Sequence, residues 1–130
     1  HLVVPTLEEV LKIMGYSYSP EHLEKIGEEL TYYFDSHLLI DKHHRGAAYF
    51  NKHGNSFEVS SRLARTIDVS GARSTFIGVL ALCISAGMDM KYAMRLSKLC
   101  QEISLTRVGT TPLTMAEFED ALKRIDIAAE

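Results

Sequence analysis

The sequence predicts a layered α/β fold, a small mixed sheet with helices packed on one or both of its faces. Three observations predict it. Two apolar runs of strand length, Leu2–Val4 and His37–Ile40, are separated by two helical stretches, which favours a parallel pair. Gly46–Phe50 and Ser56–Ser60 flank Asn51-Lys52-His53-Gly54-Asn55, which has turn chemistry, and so read as a hairpin. After the hairpin come three helical stretches and no further strand pair.

Each element has local reasons. Leu2–Val4 is closed by Pro5. Thr6 stands three residues before Glu9, the capping-box spacing, and Val10, Leu11, Ile13 and Met14 supply an apolar face that ends at Gly15. Ser19-Pro20 opens a second helix, with Pro at its first position and Glu21 beside the positive end of the dipole. Leu23, Ile26, Leu30, Tyr33 and Phe34 follow at helical steps and predict one face packed on a sheet. Ser56–Ser60 alternates, as a half-exposed strand does. Arg62–Ile67 reads as a linker ending in a short strand.

The stretch from Asp68 to Gly87 organises the rest. Ser70 and Gly71 are turn and cap residues, and Thr75, Phe76, Ile77, Val79, Leu80, Leu82, Cys83 and Ile84 are apolar nearly all round. A helix without a polar face belongs in a core. Gly87 stands where a left-handed residue ends a helix. The amides at Gly71-Ala72-Arg73 face the positive end of that helix and suit an anion such as phosphate. Met88-Asp89-Met90 leads into a helix from Met90 to Ser104, with Ala93, Met94, Leu96, Leu99, Cys100 and Ile103 inward. Thr106–Pro112 reads as a loop. Thr114 and Glu117 repeat the capping-box spacing before Phe118, Leu122 and Ile125.

The chain has 130 residues, enough for one domain with a real core, and residues 1–130 read as a single domain. A formal net charge of -3 and the lack of a Lys/Arg run argue against a nucleic-acid surface. No apolar run is long enough to span a membrane and no signal peptide is visible, so a cytoplasmic location is expected. Cys83 and Cys100 lie in apolar helical text and read as buried free thiols in a reducing compartment. A first strand entered at full stride reads as a proteolytic product or as one half of a larger protein. The pair His43-His44 reads as surface imidazoles ahead of a metal pair, because adjacent side chains on a strand point to opposite faces.

The wording of Asp68-Val69-Ser70-Gly71-Ala72-Arg73-Ser74-Thr75-Phe76 resembles the ribokinase-like (PfkB) carbohydrate-kinase signature, Asp-Thr-Thr-Gly-Ala-Gly-Asp-Thr-Phe. The resemblance extends over almost the whole chain, in the order of that family's C-terminal half. VVPTLEE is similar to the family's strand ending in Pro-Asn-x-x-Glu. HLLIDKHHRGAAYF is similar to its strand, nucleotide-contacting turn and following strand, with Gly46 kept. Ala93-Met94-Arg95-Leu96 to Thr106-Arg107 resembles the helix beside the adenine, and RVGTTPLT resembles sugar kinases of the heptose-phosphate type.

The resemblance implies ATP-dependent phosphoryl transfer to a sugar hydroxyl, with ATP and Mg2+ as cofactors. It implies nucleotide or phosphate binding at Asp68, Gly71, Ala72, Arg73, Gly46 and Lys98, a magnesium-shell role for Glu9, and the general-base position at Ser74. The departures fall on the chemistry. The family's Asn is Thr6, its Thr-x-Gly is Asp41-Lys42-His43, its second signature Gly is Arg73, its base is Ser74, and its adenine-side Asn is Lys98. An alkyl hydroxyl is neutral at pH 7 and needs its own activator. Two readings follow: a catalytically impaired portion of a sugar kinase, or a non-catalytic module that binds nucleotide, phosphate or a protein. The expected partners are the missing N-terminal half or a second copy, pairing at a sheet edge on Leu2–Val4 or Leu38–Ile40.

Overall fold

The structure, a computed structural model, describes residues 1–61, 72–105 and 112–129. The described residues gather into two compact units, His1–Val59 and Ser60–Glu130.

The first unit is a four-stranded mixed sheet in the order β1-β2-β3-β4 with two helices. β1 is Leu2–Val3, β2 His37–Asp41, β3 Ala47–Phe50 and β4 Ser56–Val59. β1 and β2 are parallel, and the other two pairings are antiparallel, with Leu38 opposite Phe50 and Phe50 opposite Ser56. The parallel pair is joined through α1, Leu7–Met14, and α2, Pro20–Phe34. The expected capping box is present: Thr6 Oγ1 accepts the Glu9 N–H at 3.2 Å, and Glu9 Oε2 accepts the Thr6 N–H at 2.8 Å. Ser19 caps α2, with Pro20 in its first turn. Leu7, Val10, Leu23, Ile26 and Leu30 pack with Leu38, Ile40, Ala48 and Phe50 into one core, so period-four helix faces meet period-two strand faces.

Two expectations about this unit are corrected. Tyr33 and Phe34 do not continue the packed face of α2. Tyr33 is 79% exposed, and the buried stripe runs instead through Gly27 and Thr31. The helix ends at Phe34 with Asp35 in a left-handed conformation, and its last turn carries a Tyr33–Phe34 edge contact rather than a core contact. Leu38–Ile40 is not an edge either. It lies between β1 and β3 and is fully buried, so among the described strands only β1 and β4 form edges.

The second unit contains α3, Ala72–Ser85, α4, Met90–Ser104, and α5, Met115–Ala129. α3 packs on α4, and α4 on α5. α3 ends as expected: Gly87, at φ 76°, donates to Ile84 O, and Met88 N–H reaches back to Cys83 O. Asp89 Oδ2 accepts the Lys91 and Tyr92 N–H groups, and Thr114 with Glu117 caps α5.

Burial reverses the order read from hydropathy. α3 buries Phe76, Val79, Leu80 and Cys83 but exposes Ile77, Leu82 (57%) and Ile84. Its apolar text is not an all-round core. α4 is the more deeply buried of the two, including its polar residues Ser97, Lys98 and Gln101. It has a neighbouring helix on either side, α3 and α5. The expected strand before the signature, Asp68, Gly71 and the loop at 106–111 lie outside the described residues.

Candidate functional site

The carboxyl ends of parallel strands are where open α/β sheets place ligands, because the chain leaves the sheet there and the next helices start there. In the first unit those ends meet. Asp41 N–H donates to Pro5 O at 2.9 Å, and Thr6 and Asp41 form a parallel bridge. Glu9 therefore stands at the head of α1 beside the end of β2. Its Oε2 is committed to the Thr6 amide, which is the capping role that its spacing predicts.

The turn after β2 is tightly built. Asp41 is buried, and its Oδ1 accepts the His43 N–H at 3.0 Å. Lys42 N–H donates to Gly46 O, and Gly46 N–H donates back to His43 O. His43, at the position of the family's turn glycine, holds φ 54°, a left-handed conformation that costs a side-chain-bearing residue about 1–2 kcal/mol. Lys42 Nζ is drawn into a 2.7 Å ion pair with Glu58 of β4, and the Arg45 guanidinium lies 4.3 Å from the centre of the Tyr18 ring. The Lys42–Glu58 and Arg45–Tyr18 pairs are not visible in the sequence. The strand register explains the first: Asp41 lies opposite Ala47, and Ala47 opposite Val59, so Lys42 and Glu58 flank one end of the ladder.

The second unit holds the other candidates. Ala72, buried, and Arg73, half-buried, occupy the first turn of α3. Ser74 beside them is exposed, and its hydroxyl makes no hydrogen bond among the described residues. Lys98 is 1% exposed. Its Nζ donates to Gln101 Oε1 at 2.9 Å and lies 4.8 Å from the centre of the Phe76 ring, so its charge is turned into the α3–α4 packing. Gln101 is the residue that sequence reading missed. Its only signal is the three-residue step from Lys98.

Neither cysteine is a nucleophile. Burial raises the Cys83 thiol, and burial followed by Cys83 pushes the Cys100 thiol up to about 12, so both stay protonated at neutral pH. For magnesium, no group of three or more His, Cys, Asp or Glu side chains is gathered among the described residues, so they offer no protein-only cage. Magnesium in phosphoryl-transfer sites is held largely by phosphate oxygens and water, and a single carboxylate such as Glu9 fits that manner of binding. For a nucleotide, the start of α3 with Arg73 fits the phosphates. No helix among the described residues is long and apolar enough to cross a membrane.

The pattern of pfkB family carbohydrate kinases matches residues 1–116. Bifunctional protein HldE of Pseudomonas syringae pv. syringae is 27% identical over 124 residues, covering 95% of this chain and 26% of that protein. The protein of the same name from Coxiella burnetii is 28% identical over 126 residues, with 95% and 26% covered. The chain thus spans about a quarter of the length of these relatives. Phosphofructokinase-2 from Escherichia coli shares the fold with a TM-score of 0.80 at 14% identity, over 96% of this chain and 41% of its own. Ribokinase from Thermotoga maritima shares it with a TM-score of 0.76 at 21% identity, over 94% and 42%. With the family pattern running through both units, this chain belongs to the pfkB family of carbohydrate kinases.

Proposed function

We propose that the chain is the C-terminal portion of a sugar-kinase domain of the heptose-kinase-like kind, that it retains phosphate or nucleotide binding at the start of α3, and that it is catalytically impaired. The observation that carries the proposal is Ser74. It occupies the family's base position, is exposed, and has no hydrogen-bonded activator among the described residues. Loss of a general base commonly lowers the rate by roughly two to four orders of magnitude. What supports retained anion binding is that Ala72 and Arg73 lie in the first turn of α3, where the helix dipole and the Arg73 charge both favour an anion. Lys98, turned inward, supports the ligand side by holding Gln101 in place. Buried protonated thiols and nucleotide binding fit a cytoplasmic protein.

The partner in this reading is the remainder of a kinase domain, or a second copy, added along the outer edge of β1. Among the described strands β1 pairs only with β2, and an open strand edge invites pairing. Sedimentation at high concentration tests it: association is expected, and a clean monomer that binds no complementing half overturns it.

Calorimetry with ATP, ADP and inorganic phosphate in the presence of magnesium, run beside a phosphotransfer assay on hexoses, heptose phosphates and nucleosides, tests the main proposal. Binding without turnover is expected. Turnover that Ser74→Ala abolishes refutes the impairment, and absence of binding to every probe refutes the retained site.

A further inference from the structure

A cavity of about 630 Å³ opens between α2 and the β3–β4 hairpin, wholly inside the first unit. Its volume is that of a ligand site, about 300–1,000 Å³. It lies at the far end of the strand ladder from the Asp41–Gly46 turn, because Leu38 pairs with Phe50 at one end and Asp41 with Ala47 at the other. Glu24, Glu28 and Tyr32 line it at four-residue steps along one face of α2. Neither glutamate carboxylate has a hydrogen bond or ion pair among the described residues, although like charges one turn apart repel. Lys25, the one Lys or Arg of α2, lies over the Tyr16 ring. The same lining already holds one ammonium: Lys52 Nζ sits 2.6 Å from Asp35 Oδ1. Tyr32 is 90% exposed and opens a run of three exposed aromatics, Tyr32-Tyr33-Phe34. Tyrosines are enriched at binding hot spots, and the face of an aromatic ring attracts a cation.

We propose that this cavity is a docking site for a basic segment of a partner protein, with a Lys or Arg side chain of the partner held by the Glu24 and Glu28 carboxylates and the Tyr32 ring. Charge complementarity selects the occupant. The lining carries three carboxylates against the single ammonium of Lys52, so it draws a cation and repels an acidic segment. A second copy of this chain, with its net charge of -3, is disfavoured for the same reason. Tyr33 and Phe34 beside the cavity offer aromatic area to the rest of a peptide, which a small free polyamine does not cover. The proposal is independent of the nucleotide reading.

Fluorescence anisotropy of the whole chain with a fluorescein-labelled peptide of Arg, Lys and Gly tests this, beside the same peptide with Glu in place of Arg and Lys. The basic peptide is expected to bind and the acidic one not to. Glu24→Gln with Glu28→Gln is expected to lower the affinity about three- to tenfold, the value of two exposed ion pairs. Tyr32→Leu is expected to lower it about two- to fivefold. Glu8→Gln with Glu119→Gln makes the same change of net charge at exposed positions that do not line the cavity, and is expected to leave binding unchanged. The proposal is overturned if the basic peptide does not bind, if its affinity survives the change at Glu24 and Glu28, or if both double variants lose equally. Spermidine that displaces the peptide at equal concentration also overturns it, because the site then takes a free polyamine. In wild type the bound peptide is expected to shift the amide resonances of Gly54, Asn55 and Ser56, which line the cavity from the hairpin, and shifts confined to other residues refute the placement.

Discussion

Gly27→Ala is expected to destabilise the chain, against the intrinsic preference of a helix for alanine. Gly27 lies in the middle of α2 against the ring of Phe50, and a Cβ at that position falls closer than 3.0 Å to Cγ, Cδ1 and Cε1 of the ring. Carbon contacts settle at about 3.5–4.0 Å, so the ring has to retreat by about 1 Å. Phe50 is 8% exposed, and its strand is held on both sides, by Leu38 and by Ser56. Overpacking of this kind costs about 1–3 kcal/mol. Replacing glycine in a helix returns about 1 kcal/mol, which leaves a net loss of up to about 2 kcal/mol. Gly78→Ala is the control. It lies in the middle of α3, its added Cβ meets nothing within 4 Å, and it is expected to stabilise by up to about 1 kcal/mol. Urea unfolding followed by circular dichroism gives the global effect, and amide exchange at Leu39 and Tyr49 reads the sheet itself. In a double-mutant cycle, Phe50→Leu is expected to recover about 1 kcal/mol of the Gly27→Ala loss. The reasoning is refuted if Gly27→Ala stabilises as Gly78→Ala does, or if the cycle shows no coupling.

His43→Gly relieves the left-handed strain at φ 54° and is expected to be neutral or stabilising by up to about 1 kcal/mol, whereas His44→Gly is expected to destabilise by about 0.5–1 kcal/mol; thermal unfolding of the two separates them. Glu58→Ala leaves the buried Lys42 ammonium without its partner and is expected to cost about 1–3 kcal/mol in urea, below the value for a fully buried pair because Glu58 is exposed, with part of the loss recovered by adding Lys42→Met. Desolvation first, then neighbouring positive charge including His53 and Lys52, holds the His37 imidazole below its ordinary value, and His37 Nδ1 accepts the Lys52 N–H. The unfolded chain therefore binds that proton more readily, so stability is expected to fall as pH drops below about 6.5, and His37→Gln to flatten the profile between pH 7 and 5. Ser74→Asp with Arg73→Gly restores the signature residues but not the acceptor side, and no turnover is expected from this chain in the phosphotransfer assay; activity in that variant shows that the two positions alone limited catalysis.

The family signature was legible because a frame of turn and packing residues, Gly71-Ala72 with Thr75-Phe76 behind it, survives around the changed positions Arg73 and Ser74. What Lys98 does was not legible. Its place in the text marks it as a ligand neighbour, but a lysine's direction depends on what surrounds the helix, and here Gln101 and Phe76 take its ammonium. Glu9 was readable as a cap because the partner that decides it, the Thr6 amide, is three residues away.

By itself the sequence determined features whose cause lies mostly within about one helical turn. These are the caps at Thr6, Ser19 and Thr114, the stops at Gly15 and Gly87, the Asn51–Asn55 turn, and the strand–helix–helix–strand–hairpin order that makes β1 and β2 parallel. Such features depend on hydrogen bonds and dihedral preferences between near neighbours. Only the tertiary structure decided which apolar surface is buried. It exposed Ile77 and Leu82 on the more apolar helix, α3, buried Ser97, Lys98 and Gln101 on α4, set Gly27 against Phe50, and joined Lys42 to Glu58. Burial is a property of the space between elements, and the volume that fills that space comes from residues distant in the chain.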